Sequence, residues 1–392
     1  MHCDTPHNDD RIIGNIDTPH LMQVFDSDDI LVRGWFYSHE GSKSIEIFFD
    51  DVKIGNALRW GERIDLKRAC PQYKNIEKSG FIFYKNMILE NGRHKLLIRV
   101  KYDNDKIFEE FRDIIVDKRV CIIDRINIEL TNHCNLTCLW CPGSGERNKG
   151  FMSFDTFTTI LNNILSDKII VNEIHLYNVG ESLLHPDFPK IVQFLGALSK
   201  KPKIVLVTNG TLLSDSIMDQ IIESKGIDTI QFSIDGGTKE SYEQLRQGAK
   251  WEDTLKKISH FLQKNNKRIK TGLITIDMGV PFSEEFKKII EKVDNFDFRP
   301  PHNWTGNEDL KDYPFERSFN PHPCWHIQNN LAILWNGDIT LCCADLHGRG
   351  IFGNIHLDTL ENFWKGHRLT TFRKQMTGRK KEIELCKNCS IL

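Results

Sequence analysis

The alternation of hydrophobic and polar residues divides the chain into regions of different pattern. Up to residue 122, short runs rich in β-branched and aromatic residues predict strands, separated by turn signals such as Asn91-Gly92. These runs cover residues 30–36, 44–49, 52–54, 80–84 and 94–100. Regularly spaced short strands are typical of a small antiparallel sandwich. We therefore expect residues 1–122 to form a β-sandwich accessory domain.

Residues 123–300 alternate between predicted strands and predicted helices. We expect strands at 126–130, 173–177, 203–207, 229–234, 272–276 and near 296–298, with helices between them whose apolar residues recur at helical spacing. Repeated βα units give a parallel sheet with right-handed crossovers. The predicted α/β fold is a partial (β/α)6 barrel, and such barrels carry their chemistry on the loops that follow the strands.

The C-terminal part has a third pattern. Residues 301–320 are polar and punctuated by Pro and Gly, which predicts a connecting loop. From residue 321 to 392 we expect a small cysteine-rich domain with a hairpin, 331–335 and 339–341, that turns at Asn336-Gly337. A helix over 360–376 and a terminal cysteine pair complete it.

Composition narrows the function classes. The chain has 392 residues, and at about 150 residues per domain this predicts two to three domains. Its 52 Lys and Arg nearly balance its 54 Asp and Glu, which argues against a broadly basic nucleic-acid binder. The sequence has no apolar run of membrane-spanning length and no apolar stretch near its N-terminus. We expect a cytoplasmic protein with no nucleic-acid or membrane partner.

Cysteine is the informative residue type. An odd count of 11, without a secretion signal, argues against a disulfide framework. Eight of the 11 fall in two clusters, at 134–141 and 324–389, and clustered thiols in a reducing compartment favour metal binding. Cys3, Cys70 and Cys121 lie outside both clusters, and we expect them to have no chemical role.

The first cluster is a C-x3-C-x2-C loop formed by Cys134, Cys138 and Cys141. Three thiolates can bind three irons of a [4Fe–4S] cluster and leave the fourth iron open. Structural zinc requires four ligands, and His133 is the candidate for the fourth, so zinc is the alternative.

This loop resembles the signature of the radical S-adenosylmethionine (SAM) superfamily, which likewise follows the first barrel strand. Val179-Gly180-Glu181-Ser182 ends the second predicted strand, where the family carries a Gly-Gly-Glu-Pro motif that contacts the SAM amino group. Gly180 and Glu181 match this motif, whereas Val179 and Ser182 depart from it. The resemblance covers roughly residues 123–392.

The resemblance also implies further SAM contacts on successive strand ends. Asn209, in Thr208-Asn209-Gly210, and Ser233 with Asp235 match family positions that touch the methionine and ribose parts of SAM. Arg246 resembles an arginine that pairs with the SAM carboxylate, a task suited to a bidentate guanidinium. Taken singly, each of these residues is also an ordinary turn, strand-end or helix residue.

The second cluster consists of Cys324, Cys342, Cys386 and Cys389. Composition alone does not separate a four-cysteine zinc site from a [4Fe–4S] cluster. The segment is similar to the SPASM/twitch extension of radical SAM enzymes, which implies one auxiliary [4Fe–4S] cluster. Cys343 is left over: the family spacing favours Cys342 as the ligand, and Cys343 is then a buried thiol or a hydrogen-atom donor.

The resemblance implies a radical SAM oxidoreductase that cleaves SAM reductively to a 5′-deoxyadenosyl radical, with electrons from a flavodoxin- or ferredoxin-like donor. We expect dehydrogenation of a sugar- or aminocyclitol-like small molecule, with the auxiliary cluster as electron acceptor. The N-terminal domain, with Gly34-Trp35 and Ser79-Gly80-Phe81, resembles accessory domains of carbohydrate-modifying enzymes. The alternatives are a radical epimerase, a peptide-modifying maturase and a zinc-stapled binding protein.

Three residues of the connecting loop are candidates for the substrate site. His302, Asn303 and Trp304 follow the last barrel strand on the side where barrel chemistry takes place. A packed loop without a role in binding is the alternative interpretation.

Overall fold

The structure is a computed structural model. It describes residues 13–19, 21–38, 42–59, 63, 66–67, 70, 72–103, 105–141, 143, 145, 147–166, 168–277, 279–299, 304–306, 324–379 and 382–389. The chain divides into two compact units, one of residues 1–122 and one of residues 123–391.

The N-terminal unit is built from two sheets. A four-stranded sheet has the order β1-β3-β7-β6, and a five-stranded sheet has the order β2-β9-β8-β4-β5. The strands are β1 Ile13–Thr18, β2 Gln23–Phe25, β3 Asp29–Tyr37, β4 Ser42–Phe49, β5 Val52–Asn56, β6 Leu58–Arg59, β7 Gly80–Asn86, β8 Gly92–Tyr102 and β9 Ile107–Val116, with a 3-10 helix Ile76–Lys78.

Alternation explains how these sheets pack. Leu96, Ile98 and Val100 of β8 are fully buried, and they share one core with Val32 of β3 and Phe83 of β7 from the other sheet. The predicted β-sandwich is therefore confirmed.

The bonding of one cysteine in this unit differs from the prediction made from the sequence. Cys70 is buried and forms a disulfide. The other described cysteines of the chain are not disulfide-bonded.

The second unit is organised around a nine-stranded sheet of order β17-β16-β14-β13-β12-β10-β18-β19-β20. Neighbours from β12 to β17 pair in parallel, which confirms the predicted partial barrel. Its strands are β10 Cys121–Ile128, β12 Ile169–Leu176, β13 Lys203–Thr208, β14 Thr229–Ser233, β16 Lys270–Ile276 and β17 Asn295–Arg299, with the short strands β11 Thr137–Cys138 and β15 Arg246–Gln247 in loops. Its helices are Phe154–Ile164, Phe188–Ala197, Asp215–Glu223, Lys239–Leu245, Trp251–Asn265 and Glu284–Ile290, with 3-10 helices Ser182–Leu184 and Trp304–Gly306.

The strands of this sheet have two different faces. Ile174, Leu206 and Phe232 are fully buried, and the Phe232 ring packs edge-on against Phe261 of the helix Trp251–Asn265. Because alternate residues of a strand point to opposite faces, residues such as Tyr177 and Gln231 lie on the other face of the sheet. Both retain partial exposure. The helices therefore cover one face and leave the other for the site.

The C-terminal region continues the same sheet. β18 Asn330–Ile333 pairs in parallel with β10, and β19 Asp338–Thr340 and β20 Ile351–Asn354 follow antiparallel. The hairpin turns at Gly337, as predicted, whereas β20 was not predicted. The remaining helices are Trp325–Asn329, Leu360–Lys365 and His367–Arg379.

The single helix predicted over 360–376 is two helices. Gly366 lies between them with an extended backbone, φ −60° and ψ 145°, and this conformation interrupts the helical hydrogen bonding. Among the described residues, we find no helix with the length and apolarity needed to cross a membrane.

Candidate active site

The cysteine loop follows β10 and is held in place by a short strand pair. β11 pairs antiparallel with β15, so Cys138 lies opposite Arg246. Burial raises the pKa of Cys138, the Arg246 guanidinium opposes that rise, and the Cys141 thiol adds to it. Cys134 interacts electrostatically with Cys138 in the same way. The loop therefore brings three thiols together beside one fixed positive charge.

The donor set of this loop fits an iron–sulfur cluster. Three thiolates are soft ligands of the kind that such clusters prefer, and the nearby guanidinium favours their ionised form. The zinc alternative needs His133 as a fourth ligand, but its ring stacks on Phe151 at a centroid distance of 4.6 Å. Among the described residues, no three Cys, His, Asp or Glu side chains are gathered tightly enough for a single metal ion.

Gly180 lies directly against the backbone of the cysteine loop. It has φ +91°, and a Cβ at this position would lie 2.4 Å from the Thr131 carbonyl oxygen and 2.7 Å from that of His133. The Glu181 N–H donates to the same His133 carbonyl at 2.8 Å. Only glycine combines this backbone conformation with this close approach.

Glu181 joins the ends of two neighbouring strands. Its buried carboxylate accepts hydrogen bonds from the Thr208 hydroxyl and the Asn209 N–H, both at 2.8 Å. Burial raises the pKa of Glu181, and these hydrogen bonds oppose the rise. Asn209 in turn donates from Nδ2 to Asn135 Oδ1 at 3.1 Å, inside the cysteine loop.

Ser233, Asp235 and Arg246 form one hydrogen-bonded group. Arg246 Nε donates to Asp235 Oδ2 at 2.6 Å, and Arg246 Nη2 donates to the Ser233 hydroxyl at 2.5 Å. Burial opposes the charge of Arg246, but Asp235 outweighs that effect and raises the pKa of the guanidinium, which stays protonated. These three predicted residues are therefore fixed by one another, next to Cys138.

The C-terminal thiols form the second group. Burial raises the pKa of Cys342 well above its usual value, and the neighbouring Cys343, Cys324 and Cys389 thiols raise it further. Cys386 is buried, and its carbonyl accepts from the Cys389 N–H at 3.1 Å. The hairpin and the terminal C-x2-C thus meet, and their thiolates are a donor set that fits a second cluster.

Cys343 interacts electrostatically with Cys342 and Cys324 of this group and also with residues of the barrel strands. Its thiol interacts with Tyr177, and the positive charges of Arg125 and Arg299 act on both residues. Burial raises the pKa of Tyr177 and of Cys343, although each retains partial solvent exposure. We call the region between these groups the chamber. Its described polar wall consists of Arg125, Asn127, His175, Tyr177, Arg299 and Cys343.

Two family models match the chain where these groups lie. The radical SAM superfamily model matches residues 128–293, and SPASM, an iron–sulfur cluster-binding domain, matches residues 324–390. This chain belongs to the radical SAM superfamily. The two domains confirm the predicted family and imply SAM and two [4Fe–4S] clusters as cofactors.

Relatives of different activity share the radical SAM domain. The chain is 25% identical over 170 residues to GTP 3′,8-cyclase of Chlorobaculum tepidum, covering 42% of this chain and 48% of the relative. It is 22% identical over 277 residues to the S-adenosyl-L-methionine-dependent 2-deoxy-scyllo-inosamine dehydrogenase of Niallia circulans, covering 69% of this chain and 93% of the relative. The match thus spans about half the length of the cyclase, and the family resemblance by itself does not define the substrate.

A solved structure shows the same fold. BtrN in complex with AdoMet and 2-DOIA superposes with a TM-score of 0.51 at 20% identity, over 70% of this chain and 95% of that chain. This similarity supports the radical SAM architecture alone.

A buried ion pair connects the radical SAM domain to the SPASM domain, and sequence reasoning missed it. Arg147 Nη1 and Nη2 donate to Glu129 Oε1 and Oε2, both at 2.8 Å, and Glu129 is fully buried. Arg147 Nε also donates to the Leu346 carbonyl at 2.7 Å, and the Trp335 N–H lies 3.4 Å from Glu129 Oε1. The sequence did contain a signal for this ion pair, because polar residues occupy every second position of an otherwise buried strand.

Of the three predicted substrate residues, the structure describes Trp304. Trp304 lies beside the cysteine loop, where its Nε1 donates to the Trp140 carbonyl at 2.7 Å. His302 and Asn303 lie outside the described residues. The chamber residues Arg125, Asn127, His175, Tyr177 and Arg299 were not predicted, because their strand positions acquire meaning only once the inner face is known.

Proposed function

We propose that this radical SAM enzyme is a dehydrogenase that removes two electrons from a secondary alcohol of a sugar- or aminocyclitol-like small molecule. The reduced barrel cluster and SAM together supply a 5′-deoxyadenosyl radical that abstracts a hydrogen atom from carbon. The substrate radical would then give up one proton and one electron to become a ketone, and the auxiliary cluster that the C-terminal cysteines would hold could accept the electron.

One observation carries this proposal: the hairpin that bears the auxiliary cysteines extends the barrel sheet. β18 pairs directly with the first barrel strand, and after the hairpin Cys342 interacts electrostatically with the other thiols and Cys343 with Tyr177. The similarity over 93% of a SAM-dependent dehydrogenase supports the same reaction class.

We assign the residues of this site by their positions. Cys134, Cys138 and Cys141 would hold the SAM-binding cluster, and Cys324, Cys342, Cys386 and Cys389 the auxiliary cluster. Gly180, Glu181, Asn209, Ser233, Asp235 and Arg246 would hold SAM. Since Glu181 and Asp235 are already bonded within the chain, they act chiefly by fixing the strand ends and Arg246.

A second candidate is radical epimerisation, and the position of Cys343 favours it. A thiol on the chamber wall could return a hydrogen atom to the face of the substrate opposite the abstraction. Transfer of that hydrogen leaves a thiyl radical, which the electron donor would have to reduce. This reaction is redox-neutral for the substrate.

The test begins with reconstituted enzyme, SAM and a flavodoxin- or ferredoxin-like donor, incubated anaerobically with 2-deoxy-scyllo-inosamine and related cyclitols and sugars. We expect 5′-deoxyadenosine and a product two mass units lighter, in equal amounts, without deuterium from heavy water. A product that carries deuterium at the reacting carbon, and otherwise has the same mass as the substrate, would instead support epimerisation.

Two variants separate the roles of the clusters. Cys138→Ala should lose SAM cleavage altogether, whereas Cys386→Ala should still form 5′-deoxyadenosine but lose the oxidised product. Cys121→Ala, a buried thiol outside both groups, is the matched control and should behave as wild type. If Cys386→Ala oxidises substrate at the wild-type rate, the auxiliary cluster is not the acceptor.

A further inference from the structure

Asp345 is a fully buried carboxylate in the loop of residues 345–350, which follows the hairpin. Its Oδ2 accepts hydrogen bonds from the Thr340 hydroxyl at 3.1 Å and the Gly350 N–H at 2.7 Å. Its Oδ1 accepts from the Arg349 N–H at 3.0 Å. Each carboxylate oxygen therefore accepts a backbone N–H, which can only donate, and this arrangement suits the ionised form.

The Asp345 carboxylate has no cationic side chain as a partner among the described residues. Its three hydrogen bonds all come from uncharged groups. A cation that does reach this loop is Arg147, whose Nε donates to the Leu346 carbonyl at 2.7 Å. The other two guanidinium nitrogens of Arg147 already bind Glu129, both at 2.8 Å. Asp345 thus keeps its negative charge in a buried place where water screens it weakly.

Asp345 is linked to Cys342 in two ways. Its N–H donates to the Cys342 carbonyl at 3.1 Å, which closes a turn between the two residues. The Thr340 hydroxyl, while it donates to Asp345, also accepts from the Cys342 N–H at 3.5 Å. Hydrogen bonds joined in this way polarise one another. The charge of Asp345 is therefore connected through Thr340 to the backbone of a proposed cluster ligand.

The loop of Asp345 also contacts the terminal cysteine pair. A Cβ on Gly350 would lie 2.9 Å from Leu385 Cδ2 and 3.3 Å from Asp345 Oδ2, so Gly350 separates these two side chains. Leu385 is buried and immediately precedes Cys386. Asp345 is thus placed between the two parts of the chain that supply thiols to the C-terminal group.

We propose that Asp345 is a positioning residue of the auxiliary site, and that its uncompensated charge lowers the reduction potential of the cluster held there. This inference rests on the proposed function in one respect, the assignment of Cys342 and Cys386 as ligands of that cluster. The potential of an iron–sulfur cluster depends on the charge around it. A fixed negative charge disfavours the reduced form, because reduction adds a further negative charge.

A lower potential is compatible with the role of an electron acceptor. The radical of an alcohol is a strong reductant, so it can still reduce a cluster of low potential. The auxiliary cluster must then give up this electron before the next turnover, and a flavodoxin- or ferredoxin-like protein is the acceptor by class. A lower potential favours that second transfer.

The test compares reduction potentials in the anaerobically reconstituted, full-length enzyme by redox titration with electron paramagnetic resonance detection. The titration is done with and without SAM, since SAM binds the open iron of the barrel cluster. The signal that SAM leaves unchanged belongs to the auxiliary cluster. Asp345→Asn keeps the shape of the side chain and removes its charge. We expect about eight irons per chain and an auxiliary potential shifted to a more positive value than in the wild type.

Matched variants separate the charge from other effects. Asp358→Asn removes an exposed carboxylate of the same domain and should leave the auxiliary potential unchanged, because water screens that charge. Thr340→Val removes one hydrogen bond but keeps the charge, and its potential should lie nearer to the wild type than to Asp345→Asn. Asp345→Ser is a second neutral variant for the case that the asparagine enzyme does not retain the auxiliary irons.

Two results would overturn the inference. One is a folded Asp345→Asn enzyme with about eight irons and the auxiliary potential of the wild type. The other is loss of the auxiliary irons from both neutral variants but not from Asp358→Asn, which would assign Asp345 to assembly of the site and not to its potential.

The titration requires no substrate, so it is independent of turnover. A shifted potential without ketone formation would refute the dehydrogenase proposal alone. An unshifted potential in an enzyme that forms ketone would refute this inference alone. Zinc in the C-terminal site of the wild type would refute both.

Discussion

At the residue scale, the site depends on single contacts between the cysteine loop and the strand ends. The sequence motifs predicted that Gly180 and Glu181 belong to the site, but not their partners. The Thr131 carbonyl against Gly180 lies 49 positions earlier in the chain, and the Asn209 N–H on Glu181 lies 28 positions later. Such contacts are absent from local sequence because the fold, and not spacing along the chain, brings them together.

Gly180→Ala tests this close approach. The new Cβ would meet the Thr131 carbonyl oxygen at 2.4 Å, at a φ of +91° that alanine rarely adopts. We expect destabilisation of roughly 3 kcal/mol and reduced iron in the barrel site, since the cysteine loop must move. Thermal unfolding midpoints, iron content and SAM binding by equilibrium dialysis measure the effect.

Gly279→Ala is the matched control. Gly279 has φ +69°, but no atom of the described residues lies within 4 Å of its Cβ position, so only the backbone strain of about 1 kcal/mol remains. Equal behaviour of the two variants would show that the contact with the cysteine loop is unimportant.

At the element scale, the first barrel strand supports both cluster sites. β10 presents Arg125 and Asn127 to the chamber, and Glu129 directly after it binds Arg147 of the loop beyond the cysteines. The sequence predicted this strand and its neighbours well, because their buried faces are apolar and periodic. It did not predict that β10 pairs with β18, since that partner lies about 200 residues away and parallel pairing produces no local sequence pattern.

Glu129→Gln tests the connection at this scale. The substitution leaves Arg147 with no carboxylate in a largely buried position, and breaking such a pair costs about 3–5 kcal/mol. We expect a clear fall in the urea midpoint and loss of iron from both sites. The exposed pair of Glu284 with Lys287 is the comparison, and Glu284→Gln should leave the urea midpoint close to that of the wild type because solvent screens the pair. A Glu129→Gln midpoint within the range of that control would contradict the role of the pair.

At the scale of the whole molecule, two compact units follow one another, and the second carries both cluster sites on one sheet. The sequence predicted the sandwich, the barrel and the cysteine-rich end, because each has its own periodicity or composition. It treated the C-terminal hairpin as separate, whereas β18 extends the barrel sheet. That continuity makes an auxiliary electron acceptor next to the chamber physically reasonable.

The most direct measurement is the iron, sulfide and zinc content of anaerobically reconstituted wild type, Cys342→Ala and Cys343→Ala. We predict about eight irons per chain and no zinc in the wild type, about four irons in Cys342→Ala and about eight in Cys343→Ala. About four irons with one zinc in the wild type would remove the auxiliary electron acceptor and contradict the dehydrogenase mechanism. Loss of four irons in Cys343→Ala alone would instead show that Cys343 is the ligand and not a chamber thiol.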